Sequence, residues 1–290
     1  MTNTILQVRQ LTKSFGKRKA VDALDLDVRA GEIMGFLGPN GAGKTTAIKM
    51  IMGFLFEDEG TIIINGYNLR EDYEQAMGQV GGIVENPEMY VNLTGRQNLE
   101  LYANLHGIKD PEVIQAAIEF VQMEHRIDEK VKRYSIGMKQ RVGLALAIVH
   151  KPKVLILDEP TNGLDPAGIR HLRDVLKHLA HVEGVGVLVS SHQLSEMELL
   201  CDRVTVIDQG KLIDVRDLHD NGDDDDEANG GLPNGLRVWN WIIELASSEE
   251  VQALNDTLEE PLELAVLDRQ RFRVTASESQ LLSLQRALLA

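Results

Sequence analysis

Two groups of residues in this chain have the types and spacing to handle a polyphosphate. The first is Gly38-Pro-Asn40-Gly41-Ala-Gly43-Lys44-Thr45-Thr46, which fits the G-x-x-x-x-G-K-[ST] phosphate loop. Glycines at 38, 41 and 43 lack a Cβ, so the backbone can wrap closely around an anion and aim successive N–H groups at it. Lys44 is then placed to reach the β- and γ-phosphates, and the Thr45 hydroxyl to complete the shell of a Mg²⁺ ion. The second group is Asp158-Glu159, which ends the apolar run Val154-Leu-Ile-Leu157. Asp158 suits the same metal shell, and Glu159 suits a general base that polarises an attacking water. Either stretch alone could be a glycine-rich turn or an ordinary acidic loop. Their presence in one chain, with Pro160-Thr-Asn-Gly-Leu-Asp165-Pro directly following, favours phosphoryl chemistry.

These residues need elements to hold them. The phosphate loop is flanked by an apolar burst, Ile33 to Leu37, and by a segment of helical character, which is the strand-loop-helix setting the motif requires. Thr4 to Leu11, Val21 to Val28 and Thr61 to Ile64 predict a β-rich subdomain, the last closing at the Asn65-Gly66 turn. Between Leu93 and His150 the spacing becomes helical. Leu99, Tyr102, Ala103 and Leu105 are expected on one face, and Val113, Ile114, Ala117, Ile118 and Val121 on another. Strands resume at Val154–Leu157, Gly186–Ser190 and Val204–Asp208 around a helix over Ala167–His181, the alternation of a parallel α/β sheet.

Asn221 to Gly231 carries Asp223-Asp-Asp-Asp-Glu227 among turn-formers and cannot bury apolar surface, so it reads as a linker rather than a calcium loop. Beyond it, 237–245 and 262–275 look strand-like and 247–258 and 278–289 helical, which predicts a small α+β appendage over 232–290. Trp239 and Trp241, two apart on one strand, read as packing residues. The expected organisation is thus a nucleotide-binding domain over 1–220, a linker over 221–231 and the appendage.

Composition narrows the setting. Of 290 residues 43% are hydrophobic, enough for a large core. The formal charge is −15, with a net of −9 in residues 221–290, which argues against a nucleic-acid partner. A single cysteine, Cys201, fits a reducing compartment, and no segment resembles a signal peptide or approaches ~18 consecutive apolar residues. The expectation is a cytoplasmic chain that meets a membrane through a partner.

Two further segments, Tyr134-Ser135-Ile-Gly137-Met-Lys-Gln-Arg141 and Val189-Ser-Ser-His192, complete a series of five motifs. Their order and spacing over residues 4–215 resemble the nucleotide-binding subunit of ABC transporters. That resemblance implies an α/β P-loop NTPase of the ABC ATPase type and hydrolysis of ATP with Mg²⁺. It implies that Ser135 and Gly137 cap the γ-phosphate bound to an opposite subunit, in a homodimer or a heterodimer formed with ATP. It places Asp165 on the D-loop, makes His192 the switch histidine beside the base Glu159, puts Phe15 on the adenine, and sets Glu85 near the metal with Thr45 and Asp158. Ser135 stands where a helix N-cap would, which independently offers an anion site. The other seven histidines have no metal spacing.

The family signature Leu-Ser-Gly-Gly-Gln is altered by Tyr134, Ile136 and Met138, and Glu85 replaces the usual glutamine. These departures resemble the bacitracin- and lantibiotic-resistance branch. The implied function is an ATPase subunit at the inner face of the membrane that powers a separate permease for an antimicrobial peptide or similar compound. A soluble ABC-type ATPase acting on ribosomes or chromosomes is the alternative. About 90 residues separate Lys44 from Ser135 and no second phosphate loop follows, which speaks against tandem or coiled-coil-split forms.

Overall fold

The structure is a computed structural model that describes residues 3–85 and 87–218, together with the strand backbones of 238–244, 263–266 and 271–277. The chain divides into two compact units, Met1–Asp220 and Asn221–Ala290.

In the first unit, β1 (Thr4–Phe15) and β2 (Arg18–Arg29) form a long hairpin. They lead into β3 (Ile33–Leu37), the phosphate loop and α1 (Lys44–Ile51). β4 (Glu59–Ile64), β5 (Tyr67–Asn68), the short α2 (Tyr73–Met77) and β6 (Val80–Ile83) follow. Next come the helices α3 (Gly95–Leu105), α4 (Pro111–Phe120) and α5 (Ile136–Ile148). The unit closes with β7 (Val154–Leu157), α6 (Pro166–His181), β8 (Gly186–Ser191), α7 (Leu194–Leu200), β9 (Arg203–Asp208) and β10 (Lys211–Asp217). The strands make an antiparallel sheet ordered β2-β1-β4-β5 and a six-stranded sheet ordered β10-β9-β3-β8-β7-β6. In the larger sheet every neighbouring pair is parallel except the β10–β9 edge.

The apolar runs predicted as strands are continuous because the parallel sheet is covered on both faces. Met34, Phe36, Ile156 and Leu188 join a core with the antiparallel sheet and α1, while Ile33, Leu155, Leu157, Val187 and Val189 join a second core with α3 to α7. The alternation along β3, β7 and β8 is the two-residue period of a strand. Glycine is required where α5 crosses β6, since a Cβ on Gly81 would lie 1.9 Å from the Ala147 carbonyl oxygen.

α3 begins at a capping box in which Thr94 accepts from the Gln97 N–H and Gln97 accepts from the Thr94 N–H. Leu99 and Ala103 are fully buried, but Leu105 is 77% exposed, contrary to the face expected for it. Six residues beyond Leu99 is about 240° of helix rotation, which turns Leu105 to the opposite side.

In the second unit β11 (Val238–Glu244), β12 (Glu263–Val266) and β13 (Arg271–Ser277) form an antiparallel sheet ordered β11-β13-β12. The stretch read as one strand over 262–275 is a hairpin, with β12 paired to β13. The linker and both expected helices lie outside the described residues.

Candidate active site

Four neighbouring parallel strands deliver the site. Gly38 follows β3, His192 follows β8, Asp158 follows β7, and Val84-Glu85 follow β6. All four segments therefore emerge at the carboxyl ends of adjacent strands, where open α/β sheets bind ligands.

The phosphate loop is shaped by its glycines. Gly41 and Gly43 have φ of 82° and 107°, and a Cβ at 43 would sit 2.3 Å from the Ala20 carbonyl oxygen. Gly43 is also the N-cap of α1 and offers no side chain to the first-turn N–H groups, so those donors and the positive helix end face the loop uncapped. Lys44 is 5% exposed, and its ammonium donates to the carbonyls of Gly38 (2.6 Å) and Pro39 (3.3 Å). A cleft of about 550 Å³ surrounds the loop, lined by Asn40, Thr45, Thr46, Glu159 and His192, with the half-exposed ring of Phe15 at its rim.

The carboxylates are held by the neighbouring strand. Asp158 is 3% exposed, and the hydroxyl of the fully buried Ser190 donates to its Oδ1 at 2.6 Å. The same hydroxyl accepts from the Glu159 N–H at 2.9 Å. At Glu159 the backbone leaves the extended conformation, with φ at 48°. That turn sets its carboxylate 2.9 Å from His192 Nδ1 and 3.4 Å from Lys44 Nζ. Glu159, His192 and Lys44 thus converge in one cleft. The second oxygen of Asp158 takes no hydrogen bond among the described residues. That oxygen and the Thr45 hydroxyl are the hard-oxygen donors that could hold Mg²⁺, an ion that fills its shell with waters and substrate phosphates.

Other expected site residues are elsewhere. Ser135 and Gly137 line a separate cleft of about 370 Å³ between α5 and α6, together with Asp165. Ser135 caps α5 by accepting from the Met138 N–H, and Asp165 caps α6 by accepting from the Gly168 N–H. Glu85 stands in neither cleft. Its carboxylate pairs with Lys49 at 2.7 Å on an exposed surface, in a groove with Met52, Phe54 and Tyr102. Glu85, expected near the metal with Thr45 and Asp158, does not line the phosphate cleft; its carboxylate is paired with the Lys49 ammonium on α1. Sequence reasoning also missed Arg18, which donates to the Gly41 carbonyl, and Ser190, which bridges both carboxylate positions. The signal for Ser190 was present, since two adjacent hydroxyls in a buried strand need partners.

Comparison with known proteins agrees with this geometry. The family model described as "ABC transporter" matches residues 21–162. The ABC transporter ATP-binding protein YhcH of Bacillus subtilis (strain 168) is 48% identical over 225 residues, covering 78% of this chain and 74% of that protein. The bacitracin transport ATP-binding protein BcrA of Bacillus licheniformis is 44% identical over 212 residues, covering 73% and 69%. A solved structure described as the ATP-binding subunit of an ABC transporter superposes with a TM-score of 0.69 at 32% identity, over 74% of this chain and 91% of that one. With its phosphate loop, Asp158, Glu159 and His192 assembled at the strand ends, the chain belongs to the ATP-binding proteins of ABC transporters, the ATPase subunits whose hydrolysis drives transport.

Proposed function

We propose that this subunit closes head to tail with a second ATP-binding subunit, so that each ATP lies between the phosphate loop of one and Ser135–Gly137 of the other. The observation that carries this reading is Gly137. Its ideal Cβ would meet only Leu164, at 3.6 Å, so nothing in this chain's own packing demands a glycine there. The space in front of it is open to an approaching anion. The Ser135 hydroxyl spends an acceptor site on the Met138 N–H and keeps its proton for a phosphate oxygen. That this half-site and the phosphate loop line separate clefts with no residue in common supports completion by a second copy or a related subunit.

In that arrangement the loop amides around Gly38, Asn40, Gly41 and Gly43 orient the phosphates, and Phe15 stacks on the base. Lys44 leaves the Gly38 carbonyl to balance the γ-phosphate charge. Thr45 and Asp158 would hold Mg²⁺, which would supply positive charge against the negative charge of the phosphates. Glu159 takes the proton of the attacking water, and His192 keeps its carboxylate aimed. Asp165 sits on the loop that borders the Ser135 half-site and orients it toward the opposite subunit.

Hydrolysis then drives a separate membrane permease, with the chain held peripherally at the cytoplasmic face; among the described residues no helix is long and apolar enough to cross a membrane. The cargo we assign is an antimicrobial peptide or similar amphipathic compound, supported by the similarity to BcrA and by Glu85 in the segment after β6. Glu159→Gln should slow ATP turnover by about 10²-fold or more, and ATP should trap a stable dimer on size exclusion. Near-normal turnover would remove Glu159 from the mechanism. In cells, deletion of the gene should sensitise the host to peptide antibiotics; unchanged sensitivity across a panel would refute the cargo assignment.

A further inference from the structure

Glu159 and His192 come from loops more than thirty residues apart in sequence, yet their side chains meet at 2.9 Å. Glu159 also holds a left-handed backbone, φ 48°, that a non-glycine residue keeps only when its surroundings over-determine it. Part of that constraint is the Ser190 bridge behind it. A second tie lies on the other side. The Thr161 hydroxyl donates to Glu196 Oε2 at 2.7 Å, both side chains being half-buried. Thr161 is two residues after Glu159, and Glu196, in the first turn of α7, is four after His192. Neither lines the phosphate cleft.

We propose that Thr161 and Glu196 form a clasp that fixes the loop carrying the base against the segment carrying the switch histidine, and that both are positioning residues for hydrolysis. The inference rests on the assignment of Glu159 as base. The clasp spans the two loops beyond the catalytic pair, so the pair and the clasp together close a ring: Glu159 to His192, along the chain to Glu196, across to Thr161, and back. Within a closed ring neither loop can turn alone. With the clasp open, the strained Glu159 backbone is free to relax and carry its carboxylate off the water. The Thr161 hydroxyl donates to a carboxylate oxygen, and hydrogen bonds to carboxylates are stronger than those to neutral acceptors.

The clasp acts on orientation and not on nucleotide binding, and this sets the test. Steady-state ATPase of the full chain is measured for Thr161→Val, Thr161→Ser, Glu196→Leu and Glu196→Gln, with ATP affinity and thermal midpoint recorded for each. Thr161→Val should lower kcat about tenfold or more while KM for ATP moves less than about threefold, since misplacement of a catalytic group costs rate and not affinity. Thr161→Ser keeps the donor and Glu196→Gln keeps an acceptor oxygen, so both should recover most of the rate. Glu196→Leu should match Thr161→Val and gives the same readout if that variant does not fold.

In a Glu159→Gln background, Thr161→Val should cause no further loss, because the clasp acts through the group already removed. Normal turnover of Thr161→Val, failure of Thr161→Ser to rescue, or an undiminished loss in the Glu159→Gln background would each overturn the clasp. Near-normal turnover of Glu159→Gln alone would instead overturn the base assignment, so the two failures are distinguishable.

Discussion

Ser190→Ala should cost the cassette more stability than removal of any similarly buried neighbouring hydroxyl. Ser190 is 0% exposed and makes two bonds through one oxygen, donating to the Asp158 carboxylate at 2.6 Å and accepting from the Glu159 N–H at 2.9 Å. A hydrogen bond to a charged group contributes ~1.5–3 kcal/mol and a neutral one ~0.5–1.5 kcal/mol. Alanine removes both bonds, one of them to a carboxylate that is only 3% exposed, so the expected loss is about 3 kcal/mol. For a unit of this size that is a fall of roughly 6–12 °C in Tm. Ser191→Ala is the control: this residue is 1% exposed but only accepts one neutral bond, from the Gln193 N–H at 3.0 Å, so its loss should be about 1 kcal/mol. Urea unfolding of both full-length variants measures the difference. If Ser190→Ala is no more destabilised than Ser191→Ala, the bridge between the two carboxylate positions is not a stabilising contact and the reasoning fails.

Three other outcomes are expected. Glu85→Gln breaks an exposed ion pair with Lys49, so unfolding should change by less than ~1 kcal/mol and isolated ATPase should stay within about tenfold of the parent, while resistance in cells changes; a loss of hydrolysis as large as that of Glu159→Gln would make Glu85 catalytic. Burial holds the imidazoles of His106, His150 and His171 below their ordinary range, with the stacked His106 adding to the effect on His150 and Arg141 to that on His171. The unfolded chain therefore takes up these protons first on acidification. Stability should be full above about pH 6.5 and fall as pH drops below it, and His106→Phe/His150→Phe should flatten that slope; an unchanged slope would assign it to other groups. A chain ending at Asp220 should remain soluble and keep its ATPase, since Met1–Asp220 is a compact unit; an insoluble product would place the second unit within the core.

Much of this molecule was legible because its chemistry is carried by short local runs. The loop from Gly38 to Thr46 and the strand ending at Asp158 each announce a strand and a turn from neighbouring residues alone, and the structure sets them at the carboxyl ends of β3 and β7, with β8 between them. What the sequence hid is non-local. The Lys49–Glu85 pair joins residues 36 apart, and the Ser190 bridge joins residues 32 and 31 apart, so no periodicity could reveal them. Glu159 reaches His192, 33 residues further along the chain, through a left-handed turn, a conformation chosen by tertiary contacts and not by its own preference. Leu105 failed for a simpler reason, a face drawn one turn too wide.

The central claim is that each hydrolytic site is built from two subunits, and mixing two inactive variants tests it directly. Lys44→Ala removes the phosphate-loop cation, and Ser135→Arg fills the capping half-site. In a head-to-tail dimer of one with the other, one site carries both lesions and the other carries neither. An equal mixture should therefore recover about a quarter of the parent ATPase, half the dimers being mixed and each holding one intact site. If the mixture stays as inactive as its components while each variant folds and dimerises, each chain completes its own site and the account is contradicted.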